Sequence, residues 1–206
     1  MKNEDVVKIY DQVAEEYARR YDHLESKDDL VFLETFVDHL KHGFRIADIG
    51  CGTGYSTGYF VKHGMQAEGV DLSLSMITIA RRNYPDISFK NEDLRTYAPN
   101  QPVDAVWAGY CLFHLEQDDF ERTLDRIRSY LKPGGVFGLV MQEGKSGETL
   151  ADEPLLSGAK IYVRVYAEAE LEEILKRHGF TVTLRKRKPP MYEMEFPYTK
   201  LLLIAR

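Results

Sequence analysis

The sequence predicts an α/β domain on a doubly wound, mostly parallel seven-stranded sheet with an antiparallel carboxy-terminal strand. Three observations carry this expectation. Continuous apolar runs of strand length alternate with helical periodicities, as in a parallel sheet covered on both faces. The first run, IADIGCGTG, ends in an acid, Asp48, and turns at once through alternating glycines. The last two runs are joined by a short connection instead of a helix, which sets them antiparallel.

From the amino terminus, Val6, Ile9, Tyr10, Val13, Tyr17 and Tyr21 recur at helical spacing and predict an amphipathic helix over residues 4–20. A second helix, 28–41, carries Val31, Phe36, Val37 and Leu40 and stops at Gly43. Strands are expected at 45–49, 66–70, 87–89, 103–107 and 136–141, with helices at 55–63, 74–83 and 118–131 between them. Ser73 is placed to cap the helix at 74–83, whose Leu74, Ile77 and Ala80 should face inward. After Met141 the stretch QEGKSGETLADEPLLSGAK is polar, rich in glycine and without a period, and reads as a loop or lid. A helix at 168–178 stopped by Gly179, a strand at 181–185, a turn at Pro189 and Pro190, and a strand at 198–204 complete the chain.

Composition narrows the function classes. A net charge of −6 gives the chain as a whole no attraction for phosphate backbones, so nucleic acid is not an expected partner. The longest apolar runs, such as VFGLV and LLLIA, fall far short of the ~20 residues of a membrane span, and no membrane association is expected. The start, MKNEDVVKIYDQ, lacks the apolar core of a secretory signal, which predicts a cytoplasmic protein. Cys51 and Cys111 do not make a disulfide framework and read as small buried fillers. His39 and His42 lack the cysteine or acidic companions of a zinc site, so no metal is expected. Arg185, Lys186, Arg187 and Lys188 form the sole basic cluster, which fits either a solvated face beside a turn or a docking patch for an acidic partner.

The glycine turn carries the chemistry. Gly50, Gly52 and Gly54 can take positive φ and approach a ligand closely because no Cβ intervenes. Their amides, with those opening the next helix, form a positively polarised rim. A second acid, Asp71, closes the following strand, and the pair of acids around the turn describes a pocket for a nucleoside cofactor. Spacing then selects among cofactors. A dinucleotide fingerprint would put Tyr55, counted from Gly50, or Thr57, counted from Gly52, where a small residue must pack. A phosphate loop needs a lysine after its glycines, and none follows here.

The pattern DxGxGxG with an acidic end to the next strand resembles the class I methyltransferases that use S-adenosylmethionine (SAM), of the small-molecule type. The likeness runs through LSLSMITIARRN, ISFKNEDLRTYA with Asp93, VDAVWAGYCLFHL and YLKPGGVFGLV, each in the family's order. The opening IYDQVAEEYARRYD is similar to the family's lead-in helix. The resemblance implies a Rossmann-like fold in one domain, 1–206, divided into a helical cover (1–42), a cofactor-binding core (43–141), and a lid loop with a helix and antiparallel hairpin (142–206).

It also implies roles. Asp71 would accept hydrogen bonds from both ribose hydroxyls, with Leu72 beside it, and Asp93 would meet the adenine amino group with Leu94 at the ring edge. Gly50, Cys51, Gly52 and Gly54 would line the methionine part, and Asp48 would fix the turn or meet the ammonium group. Met76 and Trp107 would flank the adenine. Tyr17 and Tyr21, with Tyr110 and Tyr166, would wall the pocket and face the sulfonium. If a hydroxyl or protonated amine is methylated, His114 is the candidate base by position and ordinary pKa; packing or local capping is its alternative role. The implied activity is methyl transfer from SAM to a small-molecule acceptor, with oxygen, nitrogen and carbon all open as the methylated atom. A non-catalytic SAM-binding protein and an NAD-linked oxidoreductase are the competing readings.

Overall fold

The computed structural model describes residues 3–22, 27–190 and 195–206. Two helices, α1 (Asn3–Tyr21) and α2 (Lys27–Val37), precede a regular alternation: β1 (Arg45–Ile49), α3 (Tyr55–Lys62), β2 (Gln66–Asp71), α4 (Leu74–Asn83), β3 (Ser88–Asn91) and β4 (Val103–Gly109). A single 3-10 turn, Leu112–His114, leads to α5 (Gln117–Tyr130) and the long β5 (Leu131–Glu143). Then come β6 (Gly147–Asp152), β7 (Lys160–Tyr166), α6 (Glu168–Arg177), β8 (Val182–Lys188) and β9 (Thr199–Ala205).

The central strands run β3-β2-β1-β4-β5, all parallel, and β9 then lies antiparallel between β5 and β8. Alternate residues of one strand bury on opposite faces, as a pleat requires. Ile46, Ala105, Trp107, Val136, Val140, Leu202 and Ile204 meet Phe32 and Phe36 of α2 and Phe60 of α3. Ala47, Ile49, Val106, Ala108, Phe137, Leu139 and Leu203 meet Phe120, Leu124 and Ile127 of α5 and Leu171, Ile174 and Leu175 of α6. Helices therefore cover both faces, and strand order reverses between β1 and β4, the place where a sheet of this kind opens a crevice.

The stretch after Met141 is a correction to the sequence reading. Residues 147–166 form an antiparallel hairpin, not a loop, with Thr149 opposite Val163. On β5, β9 occupies one edge through Glu143, while β4 leaves the other edge after Val140. Strand β7 takes over that edge at Gln142 and Glu143. Among the described residues the hairpin brings the sheet to nine strands, seven of them those expected. A smaller correction concerns Leu74, expected to face inward: it is 58% exposed, and Met76, Ile77, Ile79 and Ala80 form the buried face of α4.

Helix α1 is fastened across the start of α4. Asp11 accepts hydrogen bonds from the Ser73 hydroxyl at 2.6 Å and the Ser75 amide at 3.0 Å, while Ser73 itself caps the Met76 amide. Ala14 and Ala18 pack on Met76 and Ile79. An acid at a helix amino terminus complements its exposed amides and dipole. The basic run is absorbed locally: Arg185 pairs with Glu168 and Glu172, and Arg187 with Glu143.

Candidate functional site

Two cavities lie beyond the carboxyl ends of the central strands. An inner one is bounded by Asp71, Leu72, Met76, Asp93, Leu94, Cys111 and His114. An outer one is bounded by Cys51, Thr53, Ser56, Trp107, Gln142, Glu153, Phe196 and Lys200, among others. They share Tyr10, Tyr17, Gly50, Gly52, Gly109 and Tyr110, so the two cavities adjoin at the glycine turn.

The turn and the second acid are one unit. The Gly52 amide donates to Asp71 Oδ2 at 2.9 Å, and the Ser73 amide donates to Oδ1 at 2.9 Å. A carboxylate offers about four lone-pair sites, so Asp71, which the Leu72 amide also stabilises, keeps capacity for a further donor. Burial holds the Asp71 carboxyl above its usual range. Gly52 has φ +54, and a Cβ built on it would meet nothing within 4 Å, so its missing side chain leaves the space where the two cavities join. An acid at the cavity wall with acceptor capacity left, an open glycine, and apolar walls from Met76 and Leu94 fit an adenosyl group with its ribose on Asp71.

Asp48 lies under the turn and lines neither cavity. It is 1% exposed; its Oδ2 accepts from the hydroxyls of Ser56 and Thr57, each at 2.6 Å, which ties the start of α3 to the end of β1. Its Oδ1 is buried with no hydrogen-bond partner among the described residues. Burial, partly offset by the two hydroxyls, pushes its carboxyl up to about 7. Gly54 also lines neither cavity; a Cβ there would strike the Phe89 ring at 2.8 Å, so it serves helix–strand packing.

Three further expectations are revised by geometry. Trp107 does not reach the inner cavity, because the pleat of β4 turns it to the α2 face, 4.9 Å from the Phe36 ring, where it walls the outer cavity. Asp93 does line the inner cavity, but Arg95 donates through Nε to both of its oxygens at 3.0 Å, through Nη2 to Oδ2 and through its amide to Oδ1, leaving little acceptor capacity for adenine. His114 has no free nitrogen: Nδ1 donates to the Tyr162 carbonyl at 2.7 Å, so Nε2 is the acceptor of the Tyr10 hydroxyl at 2.8 Å. Burial draws its imidazole down to about 4, far from a working base at neutral pH. Tyr21 and Cys51 wall the outer cavity only, and Tyr166 is core.

The sequence reading missed Tyr10, Gln142 and Glu153. Gln142 carried a signal: it is the first polar residue after the apolar run of β5, the position that Asp48 and Asp71 hold on their strands. Tyr110 was named but its backbone was not foreseen. It holds φ 61, a left-handed conformation rare for an aromatic residue, at the junction of the two cavities. Such strain is of order 1–3 kcal/mol and is found mostly where surrounding structure imposes it for function. Among the described residues no group of three His, Cys, Asp or Glu side chains is placed to hold a metal.

A parallel sheet with a reversal at β1 and β4, an antiparallel last strand, and an acid–glycine cradle joined to a second acid define a class. By fold and by the motifs of its cofactor half, the chain is similar to the class I SAM-dependent methyltransferases. Residues 46–135 match the model of a family described as a methyltransferase domain. Trans-aconitate 2-methyltransferase of Azoarcus sp. (strain BH72) is 32% identical over 144 residues, 65% of this chain and 56% of that protein. The enzyme of the same name from Escherichia coli O1:K1 / APEC is 36% identical over 100 residues, 48% of this chain and 39% of that protein. The chain spans about half the length of the curated relatives it matches. Among solved structures, a DhpI-SAM-HEP complex superposes with a TM-score of 0.76 at 24% identity, covering 98% of this chain and 96% of that one. Burkholderia thailandensis 1,6-didemethyltoxoflavin-N1-methyltransferase, with 1,6-didemethyltoxoflavin and S-adenosylhomocysteine bound, gives 0.74 at 21% identity over 100% of this chain and 90% of that chain. At these identities the structural likeness concerns the fold.

Proposed function

We propose that the chain binds SAM across the glycine turn and transfers its methyl group to a small molecule held in the outer cavity. One observation carries this reading: the cavity beside Asp71 adjoins, at Gly50, Gly52, Tyr10, Tyr17 and Tyr110, a second cavity with polar and aromatic walls of its own. When bound, the sulfonium supplies an activated methyl with a neutral sulfide as leaving group.

The chain's own contribution is positioning, the main requirement of an in-line displacement. Asp71 would hold the ribose hydroxyls, Met76 and Leu94 the adenine faces, and the turn at Gly50 and Gly52 the methionyl part, along Thr53 and Ser56. Tyr10, Tyr17 and Tyr110 wall the junction with aromatic rings, and the Lys200 ammonium lies 5.5 Å over the Tyr110 ring. Helix α1, through Tyr10 and Tyr17, and the turn of the β6–β7 hairpin, through Glu153, supply further walls. His114 orients the Tyr10 hydroxyl and is a positioning residue, not the base.

The relatives bring trans-aconitate forward as an acceptor. Asp22, Glu153 and Glu195 stand against Lys200 in the described wall of the outer cavity, a poor receptor for three carboxylates, and the acceptor is not carried over. The test is release of S-adenosylhomocysteine from SAM by the purified protein with a panel of small amines, phenols and carboxylic acids. Acceptor-dependent release supports methyl transfer. Cofactor binding without release under any acceptor would favour the non-catalytic reading.

A further inference from the structure

We infer that the outer cavity is built for an acceptor bearing a protonated amine, held by Glu153 and Gln142 on the opposite side of the glycine turn from Asp71. The inference rests on the cofactor reading above and extends it to the substrate class.

Two buried acceptors in one wall lack partners. Glu153 opens the turn between β6 and β7 and is 6% exposed; its Oε1 accepts the Leu155 amide at 3.1 Å. Its Oε2 has no hydrogen-bond partner among the described residues. Gln142, at the end of β5, is 1% exposed, and its Oε1 is likewise unpartnered. Native interiors pair nearly all such atoms, and an unpaired buried carboxylate is the costliest exception. Two of them lining the same cavity call for a ligand that donates hydrogen bonds.

Charge selects the donor. The Lys200 ammonium is 2.6 Å from Glu195, and Asp22 takes the Thr53 hydroxyl at 2.6 Å. Lys188 stands behind Glu195 at 3.9 Å, so the described charges at this wall are Asp22, Glu153 and Glu195 against Lys188 and Lys200, a negative balance that attracts a cation and repels a carboxylate. A neutral hydroxyl would fill the hydrogen bond but leave the Glu153 charge uncompensated. An ammonium does both, and the ring faces of Tyr10, Tyr17 and Phe196 complement it.

Position separates this site from the adenosyl pocket. Asp71 ends β2, whereas Gln142 ends β5 and Glu153 sits on the hairpin paired to β5, with β1 and β4 between them. Glu153 is nonetheless near the junction: after burial, its charge is the next largest cause that holds the Tyr10 phenol in its protonated form. Tyr10 lines both cavities, so an amine on Glu153 is within reach of the shared wall. Burial also keeps the Glu153 carboxyl above its usual range, a desolvation cost that an ammonium beside it would offset.

The test is calorimetric titration of phenethylamine, tryptamine and trans-aconitate into the protein saturated with S-adenosylhomocysteine. At least one amine is expected to bind, and trans-aconitate to bind more weakly or not at all. Glu153→Gln should weaken the amine roughly tenfold or more while S-adenosylhomocysteine affinity stays within about twofold. Gln142→Met should weaken it in the same direction, which guards against a folding defect in the first variant. Tighter binding of trans-aconitate, no binding of either amine, or unchanged amine affinity in Glu153→Gln would each overturn the inference. Failure of the wild type to bind S-adenosylhomocysteine would instead strike the cofactor reading, with the amine titrations then read on the ligand-free protein.

Discussion

The amide of Gly52 donates to Asp71 Oδ2 at 2.9 Å, which ties the turn after β1 to the acid that ends β2. The cradle and the acid beside it are thereby set relative to each other before any ligand arrives, and the cost of ordering them is met during folding.

The two glycines of the turn should separate stability from binding. At Gly50 a Cβ would lie 2.3 Å from the Cys111 Cβ, at φ +68. Gly50→Ala is therefore expected to destabilise the fold by roughly 2–4 kcal/mol, from overpacking and left-handed strain. At Gly52 a Cβ meets nothing within 4 Å but enters the space shared by both cavities. Gly52→Ala should cost only about 1–2 kcal/mol of stability while abolishing most S-adenosylhomocysteine affinity. Urea unfolding and calorimetry on both variants check the split; equal effects of the two would refute it.

Asp48 should make the protein less stable as pH rises. Its folded carboxyl titrates at about 7, against about 4 in an unfolded chain. Between those values the folded state holds a proton that the unfolded chain has released, so the Asp48 contribution falls from pH ~4 to ~7 and is level above. Asp48→Asn removes this titration. The variant should gain on wild type by up to the order of 4 kcal/mol between pH 4 and pH 8 in urea unfolding, whereas a constant difference would contradict the assignment.

His114 works with the opposite sign. Its imidazole is held at about 4, below the ~6.5 of an unfolded chain, so its contribution is complete above pH ~6.5 and lost as pH falls towards 4. Tyr10→Phe would leave Nε2 buried without a donor and should cost roughly 1–2 kcal/mol at pH 7.5. With both nitrogens engaged, no ionisation near pH 6.5 should be visible in kcat with a neutral acceptor. A limb at that pH, lost in His114→Gln with folding intact, would restore the base role.

Much of this was legible in the sequence because it is local. Asp48, the glycines and Asp71 stand at fixed distances along the chain, and Ser73 capping α4 follows from its neighbours alone. The hairpin was not legible because β6 is a mostly exposed strand with no apolar alternation, stabilised by partners on β7 and, through it, β5. Trp107 was assigned to the wrong cavity because facing depends on register: β4 pairs Trp107 with Asp48, and only the stacking of α2 shows which face is which. The unpartnered oxygens of Asp48, Gln142 and Glu153 are three-dimensional facts with no one-dimensional trace.

The central claim is that the inner cavity binds an adenosyl group through Asp71. Calorimetric titration of S-adenosylhomocysteine into wild type and Asp71→Asn tests it directly. The account predicts micromolar or tighter binding to wild type and a loss of roughly tenfold to a hundredfold in the variant, whose amide keeps one acceptor oxygen where two are needed. Absence of binding to folded wild type, or equal affinity in the two proteins, would contradict it.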